Sequence, residues 1–152
     1  MNRQTIPERD WKWFGKAGHF ICGRWCRFHL TTQVGRALIS TVGEYVHPMH
    51  GGGSERTEAA WLAANWPGAD IRAGRKYETV VFHAGTPCKG GKCGCGQPAL
   101  DPPREADFGA YNDAASATKG HMELCQKWAT AEAQGAIVKH AQAVKAEAGK
   151  GA

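Results

Sequence analysis

The chain has 152 residues, 42% of them hydrophobic and 22% charged, with a formal net charge of +5. That length fits one domain with its own core and leaves little for a second, and the composition is that of an ordinary soluble domain. The first twenty residues carry Arg3, Glu8, Arg9, Asp10, Lys12 and Lys16 without an apolar run, so the expectation is neither a signal peptide nor a membrane span, and a cytoplasmic location.

In that compartment six cysteines are expected to stay reduced, which favours metal binding or simple burial over disulfides. Twenty glycines and seven prolines predict long loops between short elements. The positive balance favours an acidic partner such as a nucleic acid, since net charge speaks to encounter and solubility, never to fold.

Residues 1–10 read as a flexible or draped terminus. Aromatics then begin: Trp11, Trp13, Phe14, Phe20, Trp25 and Phe28 interleave with Lys12, Lys16, Arg24 and Arg27. This pattern suits a half-buried strand, and it also suits a surface that stacks bases while neutralising phosphates. Trp11, Lys12, Trp13, Lys16, Arg24, Trp25 and Arg27 are therefore the candidate contacts for a nucleic acid or another partner.

From Arg27 to Val34 and from Ala37 to Val46 the chain is rich in β-branched residues, with Gly35-Arg36 between, which predicts a hairpin. His47 to Gly53 reads as a loop. Ser54 caps a short predicted helix ending at Trp66, and residues 69–76 form a basic connector. Tyr77 to His83 reads as a further strand beside the hairpin.

The stretch from Thr86 to Pro98 sets Cys88, Cys93 and Cys95 among glycines and lysines, with no apolar periodicity to account for burying them. The spacing C-x4-C-x-C suits thiolates arranged around a structural Zn²⁺, which takes four ligands in a tetrahedron, and reduced structural thiols are the competing reading. His121 and Cys125, four residues apart on one predicted helical face, are the candidates for the remaining ligand. Lys89 and Lys92 would offset the thiolate charge.

Asp101-Pro102-Pro103-Arg104 predicts irregular chain until about Tyr111. Asn112 or Asp113 then caps a helix whose buried face is expected to hold Thr118, Met122, Cys125 and Trp128. Beyond Gly135, the pattern Ile137, Ala141, Val144 and Ala148 predicts a weakly amphipathic helical tail over 135–152.

Other clusters point less directly to chemistry. Cys22, Cys26 and His29 have ligand-like spacing, but an extended strand puts His29 on the face opposite the two cysteines. Pro87-Cys88 resembles part of a zinc deaminase signature, yet no H-x-E supplies the proton-shuttling glutamate. His47 and His50, with Glu55 and Glu58 downstream, allow a hydrolytic zinc site, though without the i, i+4 geometry of H-E-x-x-H. Gly51 to Ser54 before a helix could bind an anion, but no P-loop lysine follows.

Three phrases, from Ser40 to Tyr45, Tyr77 to Phe82 and Gly120 to Trp128, resemble small proteins encoded by tailed phages and prophages, over roughly residues 11 to 129. The resemblance implies a phage-type accessory protein and brings no catalytic residues with it.

The expectation is thus a single α+β domain over 11–134, a small antiparallel sheet packed on one or two helices with a zinc-stabilised cysteine loop. It is expected to bind nucleic acid or a host complex that handles nucleic acid, rather than to catalyse. An inhibitor of a bacterial defence system and a zinc-dependent hydrolase are the alternatives.

Overall fold

The computed structural model describes residues 4–15, 26–45, 71–88 and 96–151. The elements are β1 (Lys12–Phe14), β2 (Cys26–Val34), β3 (Ala37–Tyr45), β4 (Tyr77–Pro87), β5 (Pro98–Leu100), β6 (Asp107–Tyr111), α1 (Ala114–Trp128) and α2 (Ala131–Lys150), with a 3₁₀ turn over Glu8–Asp10. The expected α+β class holds. The predicted helix over 54–66, the His47–His50 loop, Gly51 to Gly53, and Cys22, Cys93 and Cys95 lie outside the described residues.

The hairpin forms as its sequence dictates. Val34 pairs with Ala37 across Gly35-Arg36, and β2 and β3 run antiparallel from there to Cys26 and Tyr45. Gly35 supplies φ +57°, a backbone region that costs a residue with a Cβ. β3 then pairs with β4, and β1 adds to the outer side of β2, giving the order β1-β2-β3-β4-β5.

The segment before α1 departs from expectation. Residues 107–111 form β6, antiparallel to residues 77–81 of β4. Asp-Phe-Gly-Ala-Tyr has little strand propensity of its own, and pairing with an already formed neighbour supplies what the local sequence lacks. β4 also outruns its predicted end, because its far half pairs with β5.

One face of the sheet and both helices enclose a core of Trp11, Val34, Ala37, Ile39, Val81, Cys125, Trp128, Ala129 and Ile137. Leu38, Val42, Val80 and Phe82, which alternate with these on the other face, are buried as well. Burial on both sides is why β3 reads as a near-continuous run of β-branched and apolar residues.

α1 starts at Asp113, whose carboxylate accepts the Ser116 backbone N–H at 2.8 Å. That bond holds the Asp113 pKa below its ordinary value. The buried face of α1 is Ala117, Gly120, His121, Cys125 and Trp128. Thr118, expected on that face, is exposed, since it lies about a quarter of a turn from the centre of the stripe that ends at Trp128.

Thr130 caps α2 through the Ala133 N–H at 3.2 Å. The helix continues through the boundary expected at 134/135, with Ile137 and Ala141 buried. Residues 5 and 6, expected to be flexible or draped, drape across the helix corner: Thr5 bridges to Thr130, and the Ile6 N–H donates to Ala129 O at 2.9 Å.

Gln134 ties this corner to the hairpin. Its amide donates to Val34 O at 2.9 Å and Trp128 O at 2.7 Å, and its Oε1 accepts the Arg36 N–H at 2.7 Å. Tyr111 lies close against the helix backbone at Gly120, where a Cβ would overlap its ring and hydroxyl. Gly120→Ala is therefore expected to destabilise the fold by about 1–3 kcal/mol, the usual cost of overpacking, measured as a lower midpoint in urea unfolding.

Candidate functional site

Among the described residues, the interface between α1 and the sheet and the outer strand β1 beside it hold chemistry that the fold does not spend on apolar packing. At the interface His121 is wholly buried, facing Thr32, Thr41 and Thr79. Antiparallel register sets Thr41 directly opposite Thr79 and Trp13 opposite Thr32, so the side chains of four strands converge under one turn of helix.

The distances describe a continuous row of hydrogen bonds. Thr32 Oγ1 lies 2.8 Å from His121 Nε2, Thr41 Oγ1 lies 2.7 Å from Nδ1, and Thr41 and Thr79 hydroxyls are 2.6 Å apart. Thr32 also hydrogen-bonds the Cys125 side chain one turn further along α1.

Burial lowers the His121 pKa to about 4, so the ring is neutral at pH 7, one nitrogen donating and the other accepting. Each hydroxyl both donates and accepts, so the row is satisfied whichever ring nitrogen bears the proton. Burial pushes the Cys125 thiol up to about 12, partly offset by Thr32, which keeps it a protonated core group and a poor nucleophile at neutral pH.

The ligands expected around the cysteine loop are not brought together by the described residues. Cys88 sits at the neck of the hairpin formed by β4 and β5, its N–H donating to Gln97 O at 2.9 Å. It is nine residues along the chain from Thr79, roughly 25–30 Å at the rise of an extended strand. His121 and Cys125 thus lie at the other end of β4, with both His121 nitrogens taken by threonines. Among the described residues no group of three or more His, Cys, Asp or Glu is arranged to hold a metal ion.

In the second cysteine cluster, Cys26 is buried and the His29 ring donates to the Cys26 carbonyl. A cleft of about 290 Å³ at the helix corner is lined by Lys127, Trp128, Thr130, Glu132, Ala133 and Ala136, none of them a ligand or nucleophile singled out from the sequence.

The aromatic and basic residues near the N-terminus separate into two kinds. Trp11 is a core residue, 7% exposed, with its indole N–H donating to Ile6 O at 3.2 Å. Trp13 is 51% exposed, on a three-residue outermost strand. Its ring rests against Trp11 (centroids 6.0 Å apart) and over His121 (6.3 Å). Lys12 beside it is exposed, and Arg27 pairs loosely with Glu44 at 3.7 Å. Lys16, Arg24 and Trp25 lie outside the described residues.

One charged cluster has no counterpart in the sequence reading. Arg72, in the stretch read as a basic connector, grips both Glu105 oxygens at 2.8 Å and Glu78 at 3.2 Å, and its guanidinium stacks on Phe108 at 4.2 Å. Burial raises the Glu78 pKa against the pull of Arg72. Arg72 and Glu105 are 33 residues apart in the chain, so no local spacing could have announced the pair.

The buried imidazole makes stability depend on pH with a definite sign. An unfolded histidine takes up a proton near 6.5 while His121 resists until about 4. Stability is therefore full above pH 6.5 and declines as pH falls toward 4, by about 3 kcal/mol from this group. Urea midpoints measured between pH 7 and pH 4 will show that decline, and His121→Gln, which removes the titrating group, will flatten it while lowering stability throughout.

No protein-family model, no curated protein and no solved structure matches this chain.

Proposed function

We propose that the chain is a non-enzymatic binding protein whose partner is nucleic acid, engaged at the β1 edge. The observation that carries this reading is Trp13, half-exposed on the outermost strand beside exposed Lys12, in a chain of net charge +5. Aromatic rings and cations together hold nucleic acid without reading its sequence, the rings by stacking and the cations by displacing condensed counterions. The proposal extends to an accessory role in an infected bacterium, which a resemblance to small phage proteins would imply and where nucleic acid and the machinery that handles it are at hand.

A structural zinc is part of the same proposal. The pairing of β4 with β5 supports it, because Cys88 stands at the end of that pairing and Cys93 and Cys95, of the cysteine loop read from the sequence, follow it in the chain. Such an ion would stiffen the loop, and its fourth ligand would come from outside α1.

The binding reading predicts strong salt dependence. With about three phosphate contacts, affinity for an oligonucleotide falls roughly 20- to 40-fold between 50 and 200 mM salt, and Lys12→Ala lowers the slope of log affinity against log salt by about 1. Fluorescence anisotropy with labelled DNA and RNA measures both. Capture of one host complex from a bacterial lysate, with free nucleic acid ignored, would replace this reading by that of a defence inhibitor.

For zinc, the purified protein is expected to carry one metal ion per chain and to lose thermal stability on chelation, with Cys88→Ser lowering metal content. A folded, metal-free sample whose melting temperature is indifferent to chelator would remove zinc from the account.

A further inference from the structure

We infer that Trp13 is a stacking platform for an unpaired base, so that the nucleic acid this protein takes is single-stranded. The inference rests on the nucleic-acid reading and narrows it. Its basis is the geometry of one ring: Trp13 keeps 51% of its surface exposed while Trp11 and His121 back it at 6.0 and 6.3 Å, with interplanar angles of 48° and 36°. An indole backed in this way is already ordered, so a ligand that lands on it pays little of the usual cost of fixing a side chain.

The size of the platform bears on what it takes. A buried Trp contributes up to about 250 Å², so half of one offers on the order of 100 Å². A stable protein interface needs roughly 800 Å² from each partner. β1 has three residues, too few to template a partner's strand. A single planar ring is the ligand that fits a single planar ring.

Duplex nucleic acid offers no such ring, since its base faces are stacked inside and only base edges and phosphates are presented in the grooves. An unpaired strand offers both parts. Lys12 and Trp13 are neighbours on β1 and point to opposite faces of the sheet, so a strand crossing this edge sets a phosphate against the ammonium and a base on the indole.

The test compares a twelve-nucleotide oligo-dT with an oligo-dT·oligo-dA duplex of equal length, both at 50 mM salt, using the full chain and anisotropy. The single strand is expected to bind at least tenfold more tightly. Trp13→Ala is expected to weaken it by about 5- to 150-fold, the range for loss of one base stack.

Because Trp13 also covers His121, Trp13→Leu and Trp13→Phe are measured beside it, with circular dichroism and melting temperature to establish folding. Leucine keeps the cover but lacks a ring face and is expected to bind weakly; phenylalanine keeps a face and is expected to retain most of the affinity. Equal or tighter binding of the duplex, or folded Trp13→Leu binding like the parent, overturns the stacking platform and leaves the nucleic-acid reading standing. No binding to either oligonucleotide overturns both.

Discussion

A neutral imidazole held between two threonine hydroxyls sets the relation of helix to sheet. His121 reaches Thr32 and Thr41 with bonds of 2.8 and 2.7 Å, and Thr41 passes the row on to Thr79. Three neighbouring strands contribute one hydroxyl each, so the row closes only when β2, β3 and β4 are in register and α1 presents His121 at one depth. Apolar packing tolerates small slips of a helix along a sheet. A fully buried row of polar groups does not, because any slip leaves a donor or acceptor unpaired at about 1–3 kcal/mol.

The neighbours of His121 follow from that placement. Gly120 must lack a side chain, since Tyr111 of β6 lies against the helix backbone there. Cys125 and Trp128 carry the same stripe into the apolar core, and the Trp128 indole N–H finds Asp107 Oδ2 at 3.1 Å, which fastens the end of α1 to the start of β6. Gln134 uses its whole amide to join the helix corner to the β2–β3 turn. The helices are thus tied to the sheet by a few polar anchors between residues far apart in the chain.

The same arrangement leaves Trp13 half-exposed at the edge of the sheet. β1 is the outer strand of the sheet, and Trp13 projects over the buried histidine from its rim. The ring packs beside the polar row and leaves about half of its surface to solvent. Under the proposal made above, stability and recognition share this residue, and substitutions that keep bulk but remove aromatic character separate the two roles.

Much of the fold was legible in local sequence. Alternation and a turn glycine specify the β2–β3 hairpin, Tyr77 to His83 declare a strand, and Asp113 caps α1, because these signals act between residues a few positions apart. Alternation marks Trp13 and Lys12 as candidates, but nothing nearby tells that Trp11 is core and Trp13 surface. β6 is not legible locally because its strand character comes from β4, nor is Arg72–Glu105, because 33 residues separate the partners.

His121 drew notice from the sequence as a ligand type on a helical face beside Cys125. Its threonine partners, 89 and 80 residues away, are what hold it neutral in the core. The sequence by itself determined the residue types, the strand and helix periods and the sign of the charge, all of them short-range or additive properties. Tertiary structure alone decided which polar groups meet and which ring stays exposed, because burial and hydrogen-bond partnership depend on segments that the chain brings together only when it folds.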